Sequence, residues 1–365
     1  MTGGAGRRVL VLNCGSSSVK YRLFDGADTV AKGLVERVTD HEAALRDVLA
    51  ELDLAGLAAV GHRVVHGGTR FSAPSLVDDE LIGVVRDLIP LAPLHNPANL
   101  TGIEVARKLL PGVPQVAVFD TAFHRTMPAS AATYAIDVTV AERFGIHRYG
   151  FHGTSHAYVS RRTTEILGRP AAETNVITLH LGNGASACAV EGGRSVATSM
   201  GLSPLAGLVM GTRSGDIDPA TVFHLVRVGG MSLAEVDDLL NQHSGLRGLC
   251  GHNDMRDVLA RREAGDERAA LAFDVYCARV KTTVGAYYAQ LGRVDAVTFT
   301  AGVGENAPVV RAACLAGLER LGIAVDPARN AAGDTVISAE GAEVAVLVVP
   351  TEEELEIATQ TLATV

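Results

Sequence analysis

Three glycine-containing segments have the composition of loops that hold phosphate groups. Residues 13–20 (NCGSSSVK) combine small side chains and three hydroxyls with Lys20, while residues 180–184 (HLGNG) and 301–307 (AGVGENA) each contain two glycines. Small residues allow backbone N–H groups to approach an anion, and a glycine-rich segment that leads into a helix is suited to phosphate. The segments predict a phosphorylated ligand, with a serine-rich turn and a type I′ hairpin turn as plainer alternatives for the first two.

The third segment also fits another class of enzyme. Residues 302–307 match the GxGxxA fingerprint of dinucleotide-binding proteins, and Asp326 could end the next strand about 20 residues further on. A nicotinamide-dependent dehydrogenase is therefore an alternative. That interpretation leaves the other two glycine-containing segments without a function.

Two arginines are suited to bind an anionic substrate, and one aspartate lies where the sites of α/β proteins are usually found. Arg63 follows a predicted strand, Arg213 lies in a glycine-flanked loop, and Asp120 ends another predicted strand, where the sites of α/β proteins gather. Arginine makes bidentate contacts to carboxylate and phosphate groups, although a surface ion pair explains either arginine alone. His152 and His156 have a spacing that suits zinc, but the segment lacks the glutamate of a metalloprotease motif.

Acidic residues begin the last predicted helix. Thr351 and Glu354 have the spacing of a capping box, and acidic side chains suit a helix N-terminus. Glu353 lies between them and is a candidate metal ligand.

Composition narrows the functional classes. The 365 residues are enough for two domains, and a formal net charge of −9 disfavours nonspecific nucleic-acid binding. The five cysteines are scattered, which argues against a disulfide framework and fits a reducing compartment. The N-terminus lacks the apolar region of a signal peptide, and the longest uncharged stretch, residues 198–212, is too short to span a bilayer. We therefore expect a cytoplasmic protein without a membrane partner.

Apolar runs alternate with amphipathic stretches, which predicts an α/β architecture. Residues 267–291 read as one long helix closed by Gly292, and Ser232 with Glu235 predicts a capping box for another. Residues 9–24 and 176–190 both read as strand, glycine-containing turn, strand. This echo predicts two related halves. The predicted strands are 9–12, 19–24, 58–61, 115–119, 176–181, 185–190, 296–300 and 344–349.

Taken together, nine segments resemble the acetate kinase family and follow its order over essentially the whole chain. They are NCGSSSVK, HRVVHGG, APLHNPAN, FDTAFH, YGFHGTSH, HLGNG, TSMGLSPLAGLVMGTRSGDIDP, TAGVGEN and PTEEELEIA. The resemblance implies two duplicated ribonuclease-H-like domains of the actin-like ATPase fold with an inter-domain active-site cleft. We expect an N-terminal domain over residues 1–149, on which the C-terminal helix 352–365 packs, and a nucleotide-binding domain over residues 150–351.

The resemblance also implies a reaction. It is the Mg²⁺-dependent, reversible in-line transfer of the ATP γ-phosphoryl group to acetate, which gives acetyl phosphate and ADP. Mn²⁺ is expected to substitute for Mg²⁺, and a homodimer is expected. A propionate kinase, or another short-chain carboxylate kinase, shares this machinery and remains an alternative.

Residue roles follow from the matching positions. Asp120, His152 and Arg213 are implied as catalytic residues, and Asn13 and Glu353 as ligands of the metal shell. Arg63 is implied to bind the substrate anion, with a small apolar pocket for the methyl group at Val65, Leu94, Phe151 and Pro204. The residues implied to bind ATP are Lys20, His180, Leu181, Gly182, Asn183, Gly184, Asp254, Met255, Arg256, Gly302, Val303, Gly304, Glu305 and Asn306.

The sequence departs from the family pattern mainly around the adenosine triplet 254–256. Met255 stands where the family usually has an aromatic residue, and residues 250–253 are also altered. Glu352 stands where asparagine is usual. The changes at residues 250–255 bear on nucleotide preference, and the catalytic motifs are intact.

Overall fold

The computed structural model describes residues 8–93 and 95–365. Contacts within the chain divide it into two units. The first contains residues 8–125, 151–158 and 352–365, and the second contains residues 126–150 and 159–351. This division lies near the expected boundary at residue 149 but assigns 126–150 to the second unit and 151–158 to the first.

Each unit is built on one mixed sheet. In the first unit the order is β3-β2-β1-β4-β6-β5, and in the second it is β11-β10-β7-β8-β9. The strands are β1 (Arg8–Gly15), β2 (Ser18–Asp25), β3 (Asp28–Glu36), β4 (Leu57–Val64), β5 (Ser75–Leu76), β6 (Gln115–Phe119), β7 (Asn175–Leu181), β8 (Ala185–Glu191), β9 (Arg194–Thr198), β10 (Ala296–Thr300) and β11 (Ala345–Val348).

Helices fill the connections. They are α1 (His41–Glu51), α2 (Asp79–Asp87), α3 (Asn96–Leu109), α4 (Ala129–Ala132), α5 (Val138–Phe144), α6 (Gly153–Leu167), α7 (Ala220–Arg227), α8 (Leu233–Gln242), α9 (Gly245–Cys250), α10 (Met255–Glu263), α11 (Glu267–Leu291), α12 (Ala301–Asn306), α13 (Pro308–Leu315), α14 (Pro327–Ala332) and α15 (Glu353–Thr364). None of the helices in the described residues is both long and apolar enough to cross a bilayer.

The two sheets share one strand pattern. In each, three antiparallel strands are followed by two parallel strands, so that β3-β2-β1-β4-β6 corresponds to β9-β8-β7-β10-β11. The predicted α/β fold with duplicated ribonuclease-H-like halves is confirmed. The turns between β1 and β2 and between β7 and β8 are the two glycine-containing turns of the sequence echo.

The C-terminal helix belongs to the first unit. Ile357 and Ala358 of α15 are buried against Val9 and Val11 of β1 and Val118 of β6. This packing fixes the start of α15, where Glu353 lies, relative to the sheet.

The glycine-rich loop and the following strand end that the dinucleotide fingerprint predicts are not formed. Residues 301–306 form helix α12 directly after β10, and Ala301 has a φ of 65° at the junction. Glu305 Oε1 accepts the Ala301 N–H at 2.8 Å, which stabilises this abrupt start. Asp326 caps α14 and accepts the Ala328 N–H at 2.8 Å instead of ending a strand. The dehydrogenase alternative therefore loses its structural basis.

Two further local expectations were wrong. The β7–β8 hairpin has a three-residue loop, since Leu181 pairs with Ala185, so the two-residue type I′ turn is not formed. Helix α15 begins at Glu353 with Glu352, not Thr351, at the N-cap position and without a side-chain cap, and Glu354 pairs with Lys20.

Candidate active site

An arginine and an aspartate form a buried pair at the carboxyl ends of β4 and β6. Arg63 Nε lies 3.1 and 3.2 Å from the two carboxylate oxygens of Asp120, and its Nη2 lies 2.8 Å from Oδ2. The Asp120 side chain is 2% exposed and that of Arg63 is 23% exposed. The charge of Asp120 raises the pKa of Arg63, so the guanidinium is held permanently charged. The pair presents one oriented cation at the edge of the sheet.

Two side chains with oxygen atoms suited to a hard cation lie on elements next to this pair. Glu353 Oε2 lies 4.0 Å from Arg63 Nη2, and Asn13 is half-buried in β1, directly after Leu12, which pairs with His62 of β4. Mg²⁺ prefers carboxylate and amide oxygens and retains several waters, so two protein ligands are enough. The side-chain oxygens of the predicted metal ligands, Asn13 and Glu353, therefore suit Mg²⁺. Among the described residues no cluster of three histidine, cysteine or acidic side chains forms a closed metal site.

The segment after Gly150 carries His152 and Phe151. His152 has a φ of 57°, in the left-handed region, and the following Gly153 N–H donates to the Asp120 carbonyl at 2.9 Å. Phe151 and Val65 are both buried in the first unit, as an apolar substrate pocket requires. Leu94 lies outside the described residues.

Lys20 lies on β2, opposite Asn13 of β1. Its ammonium group forms an ion pair with Glu354 of α15, and Arg22 Nη1 lies 2.5 Å from Glu352 Oε2. These two pairs tie the first turn of α15 to the sheet on both sides of Glu353. The predicted contact of Lys20 with ATP stays a prediction.

In the second unit, most of the predicted nucleotide residues line one cavity of about 510 Å³. They come from the β7–β8 turn, the N-terminus of α10 and helix α12. The predicted residues in the lining are Gly182, Asn183, Asp254, Met255, Arg256, Gly302, Val303 and Asn306. The predicted residues outside the lining are His180, Leu181, Gly184, Gly304 and Glu305.

The cavity has a charged rim and an apolar wall. Arg256 Nη2 lies 2.5 Å from Asp254 Oδ2, and this hydrogen bond lowers the pKa of Asp254 to about 2. Sequence reasoning missed Leu246 and Leu259 on the wall, because an apolar residue on a helix carries no signal for ligand binding. Asn253 was also missed, although its Nδ2 donates to Asn183 Oδ1 at 3.3 Å.

Arg213 lies in the loop between β9 and α7 of the second unit. Its Nη1 donates to the Pro204 carbonyl at 3.0 Å, and no carboxylate of the described residues lies within ion-pair distance. Partial burial lowers the pKa of Arg213, but a guanidinium remains charged in any protein environment. A half-buried cation without a counterion is suited to bind an anion. Pro204 belongs to the second unit, whereas Val65 and Phe151 belong to the first.

Comparison with known sequences decides the family. The sequence model of the Acetokinase family matches residues 39–359. The chain belongs to the acetokinase family. Acetate kinase from Streptomyces coelicolor is 61% identical over 98% of this chain and 97% of its own length. Acetate kinase from Corynebacterium efficiens is 51% identical, with 96% and 97% of the two chains covered.

Solved structures of acetokinases agree with this assignment. Acetate kinase from Porphyromonas gingivalis superposes with a TM-score of 0.94 at 42% identity, and 98% of this chain and 99% of that chain are covered. A propionate kinase from Francisella tularensis superposes with a TM-score of 0.93 at 41% identity, with 98% and 100% covered. The acetokinase fold thus accommodates at least two related enzymes, and the protein is a kinase of this family.

Proposed function

We propose that this acetokinase transfers the γ-phosphoryl group of ATP reversibly to acetate, forming acetyl phosphate and ADP. The observation that carries the proposal is the match of nearly the full chain to relatives named acetate kinase, at up to 61% identity. The Arg63–Asp120 pair and the cavity of the second unit supply the groups that this reaction requires.

The acceptor determines which catalytic groups are needed. A carboxylic acid has a pKa of about 4, so acetate is already an anionic nucleophile at neutral pH. A general base is unnecessary, and catalysis depends on positioning and on neutralising charge. Arg63 binds the acetate carboxylate or the phosphoryl oxygens, while the apolar side chains of Val65 and Phe151 contact the methyl group.

The transferring phosphoryl group is stabilised by cations and hydrogen-bond donors. Arg213 offsets its negative charge, and His152 and His180 donate to its equatorial oxygens. Asp120 orients Arg63, since both carboxylate oxygens already accept hydrogen bonds from that guanidinium. Asn13 and Glu353 would hold Mg²⁺, which offsets phosphate charge when it is bound with the nucleotide.

Nucleotide binding is assigned to the cavity of the second unit. Leu246, Met255 and Val303 offer apolar surface to a purine base, while Gly182 and Gly302 leave room for the phosphate chain to approach the backbone. Lys20 and the remaining predicted residues of the two ATP segments complete the proposed set.

The direct test is ADP release by the purified protein with ATP and Mg²⁺. The proposal predicts ADP release that requires acetate and saturates with its concentration. ADP release at the same rate without acetate would contradict it.

Propionate kinase activity is separated by a series of acceptors. One methylene group changes the free energy of discrimination between two substrates by about 1–3 kcal/mol. Propionate should therefore be a measurable substrate but a poorer one than acetate. The measurement is kcat/KM for acetate, propionate and butyrate. A preference for propionate would replace the acetate assignment by its alternative.

A homodimer in the cytoplasm completes the proposal. Exposed apolar side chains on the second unit, Phe223 and Val228 of the α7 region and Leu271 of α11, support association through that unit. The five free cysteines fit a reducing compartment. Light scattering should give twice the mass of the chain.

A further inference from the structure

His152 adopts a backbone conformation that its residue type rarely takes. Its φ of 57° lies in the left-handed region, which is unfavourable for a side chain with a Cβ atom. Such a conformation persists only when the surrounding structure enforces it. The contacts on both sides of His152 therefore decide where its imidazole points.

The peptide bond that follows His152 is fixed by hydrogen bonds to Asp120 and His156. The Gly153 N–H donates to the Asp120 carbonyl at 2.9 Å, and the His152 carbonyl accepts the His156 N–H at 2.9 Å. The space beside Gly153 is closed by Asp120 and Phe123, so no side chain fits at this position. These contacts hold the C-terminal side of His152 but leave rotation about its N–Cα bond to be fixed by the preceding peptide.

The preceding peptide is held by His124. This histidine is 1% exposed, and its Nε2 lies 3.0 Å from the Phe151 carbonyl oxygen. A carbonyl only accepts, so Nε2 must carry the hydrogen. Burial lowers the pKa of His124 to about 4, so the ring is neutral at pH 7 and its single proton lies on Nε2. The ring also packs edge-on against Phe123 and His156, which fixes its plane.

We propose that His124 is a positioning residue for His152: its Nε2–H anchors the Phe151 carbonyl and thereby keeps His152 in the left-handed conformation. Rotation of His152 to a negative φ would swing the Phe151–His152 peptide and carry this carbonyl away from His124. The hydrogen bond and the unusual φ are therefore one coupled feature. The inference rests on the proposed role of His152 at the phosphoryl group and assigns His124 no contact with substrate.

Two substitutions separate anchoring from simple packing. His124→Leu fills the space but leaves the Phe151 carbonyl without its donor, and it should lower kcat by about 30-fold while KM for MgATP changes by less than about threefold. His124→Gln restores an amide donor near the position of Nε2 and should recover kcat to within about fivefold of the wild type. Should the leucine variant not fold, His124→Asn replaces it, because its shorter side chain cannot reach the carbonyl.

His62 provides a matched control. It is also a buried histidine with a pKa of about 4, and its Nε2 makes one hydrogen bond, to Gln115 Oε1 at 2.6 Å. His62→Leu should lower Tm as His124→Leu does but keep kcat within about threefold of the wild type. Equal losses of kcat in the two variants would overturn the proposal, because His124 would then act only through general stability.

A double-mutant cycle with His152 completes the test. In a His152→Ala background, His124→Leu should change kcat by less than about twofold, because the group that it positions is already absent. Multiplicative losses would overturn the positioning role of His124 while leaving His152 catalytic. Unchanged kcat in His152→Ala alone would instead refute the proposed function of His152 itself, and with it the inference.

Discussion

At the scale of single residues, the contacts of Asp120 define its role. Both of its carboxylate oxygens accept hydrogen bonds from Arg63, and its backbone carbonyl holds Gly153 beside His152. Asp120 therefore connects the two side chains that we assign to the substrate, the Arg63 guanidinium and the His152 imidazole. We propose that a residue so engaged acts by orienting its neighbours and not by moving a proton.

Asp120→Asn tests this role. The variant removes the carboxylate that makes hydrogen bonds to the partly buried Arg63 guanidinium and leaves it only the more distant Glu353. Breaking such a pair is strongly destabilising, by roughly 3–5 kcal/mol. We expect kcat to fall by at least about 100-fold while the Mg²⁺ concentration that gives half-maximal activity changes little. Steady-state kinetics at varied Mg²⁺ measures both quantities. Retention of most of the activity would contradict the role.

Arg213→Ala tests the stabilisation of the transferring group. A cation that acts mainly in the transition state contributes to kcat more than to KM. We therefore expect kcat to fall by about 100- to 1,000-fold, while KM for ATP changes by no more than about a few-fold. Arg213→Lys, which keeps the charge but not the planar group, is the control and should recover part of the loss. An unchanged kcat in the alanine variant would remove Arg213 from the mechanism.

The types of the site residues could be predicted, but most of their pairings could not. Arg63 and Asp120 were each recognised from a motif, yet they lie 57 positions apart, and the motifs do not indicate which arginine Asp120 contacts. The same holds for Lys20, expected at ATP and found beside Glu354. An ion pair depends on the three-dimensional path of the chain, which a motif does not contain.

At the scale of secondary structure elements, the start of α15 carries Glu353 to the first sheet. Its first turn is tied to β2 by the Lys20–Glu354 and Arg22–Glu352 pairs. The apolar face of the helix packs on β1, β4 and β6. The last helix thus contributes Glu353, and the first strand contributes Asn13, to the pair of metal ligands that we propose.

Lys20 and Glu354 allow the two roles of the lysine to be separated. If Lys20 contacts ATP, Lys20→Met should raise KM for ATP by about tenfold, since a charged hydrogen bond is lost, whereas Glu354→Gln should change it by less than about twofold. Initial rates at varied ATP give both values. Equal changes in the two variants would show that Lys20 acts only on the position of α15.

Elements with strong apolar patterns could be predicted, and those fixed by tertiary contacts could not. Strands β6 and β10 and the helix α11 have the predicted bounds, because each has an unbroken apolar or amphipathic pattern. Helix α12 was missed because its two glycines disfavour a helix. Contacts of Glu305 with the N–H groups of Ala301 and Thr351 override that local preference.

At the scale of the whole molecule, buried histidines make stability depend on pH. Burial lowers the pKa values of His62, His66 and His124 to about 4, from 6.5 for an unburied ring. At a pH between about 4 and 6.5, these histidines bind more protons in the unfolded chain than in the folded chain. The contribution of the neutral rings is therefore complete above about pH 6.5 and is lost as the pH falls towards 4.

Urea unfolding at pH 7, 6 and 5 measures this dependence. The free energy of unfolding should decrease as the pH is lowered, with a slope that approaches three protons from these groups. His62→Gln, which removes one of the three, should lower the slope by about one proton. A free energy that stays constant between pH 7 and 5 would contradict the burial of these rings.

The duplication could be read from the sequence, whereas the boundary expected at residue 149 stays a prediction. Two similar hairpins, at residues 9–24 and 176–190, already indicated related halves. The resemblance gave one boundary near residue 149, whereas contacts place 126–150 with the second unit. Tyr149 and Gly150 donate their N–H groups to the Gly201 carbonyl, a pairing between distant positions that carries no local signal.

All of the assigned roles depend on one reaction, the transfer of a phosphoryl group from ATP to the carboxylate of acetate. Trapping of the product with hydroxylamine tests it most directly, because an acyl phosphate reacts to give a hydroxamate. Acetohydroxamate should form in a one-to-one ratio with ADP, and none should form when acetate or Mg²⁺ is omitted. ADP formed from ATP in the presence of acetate without any hydroxamate would contradict the claim.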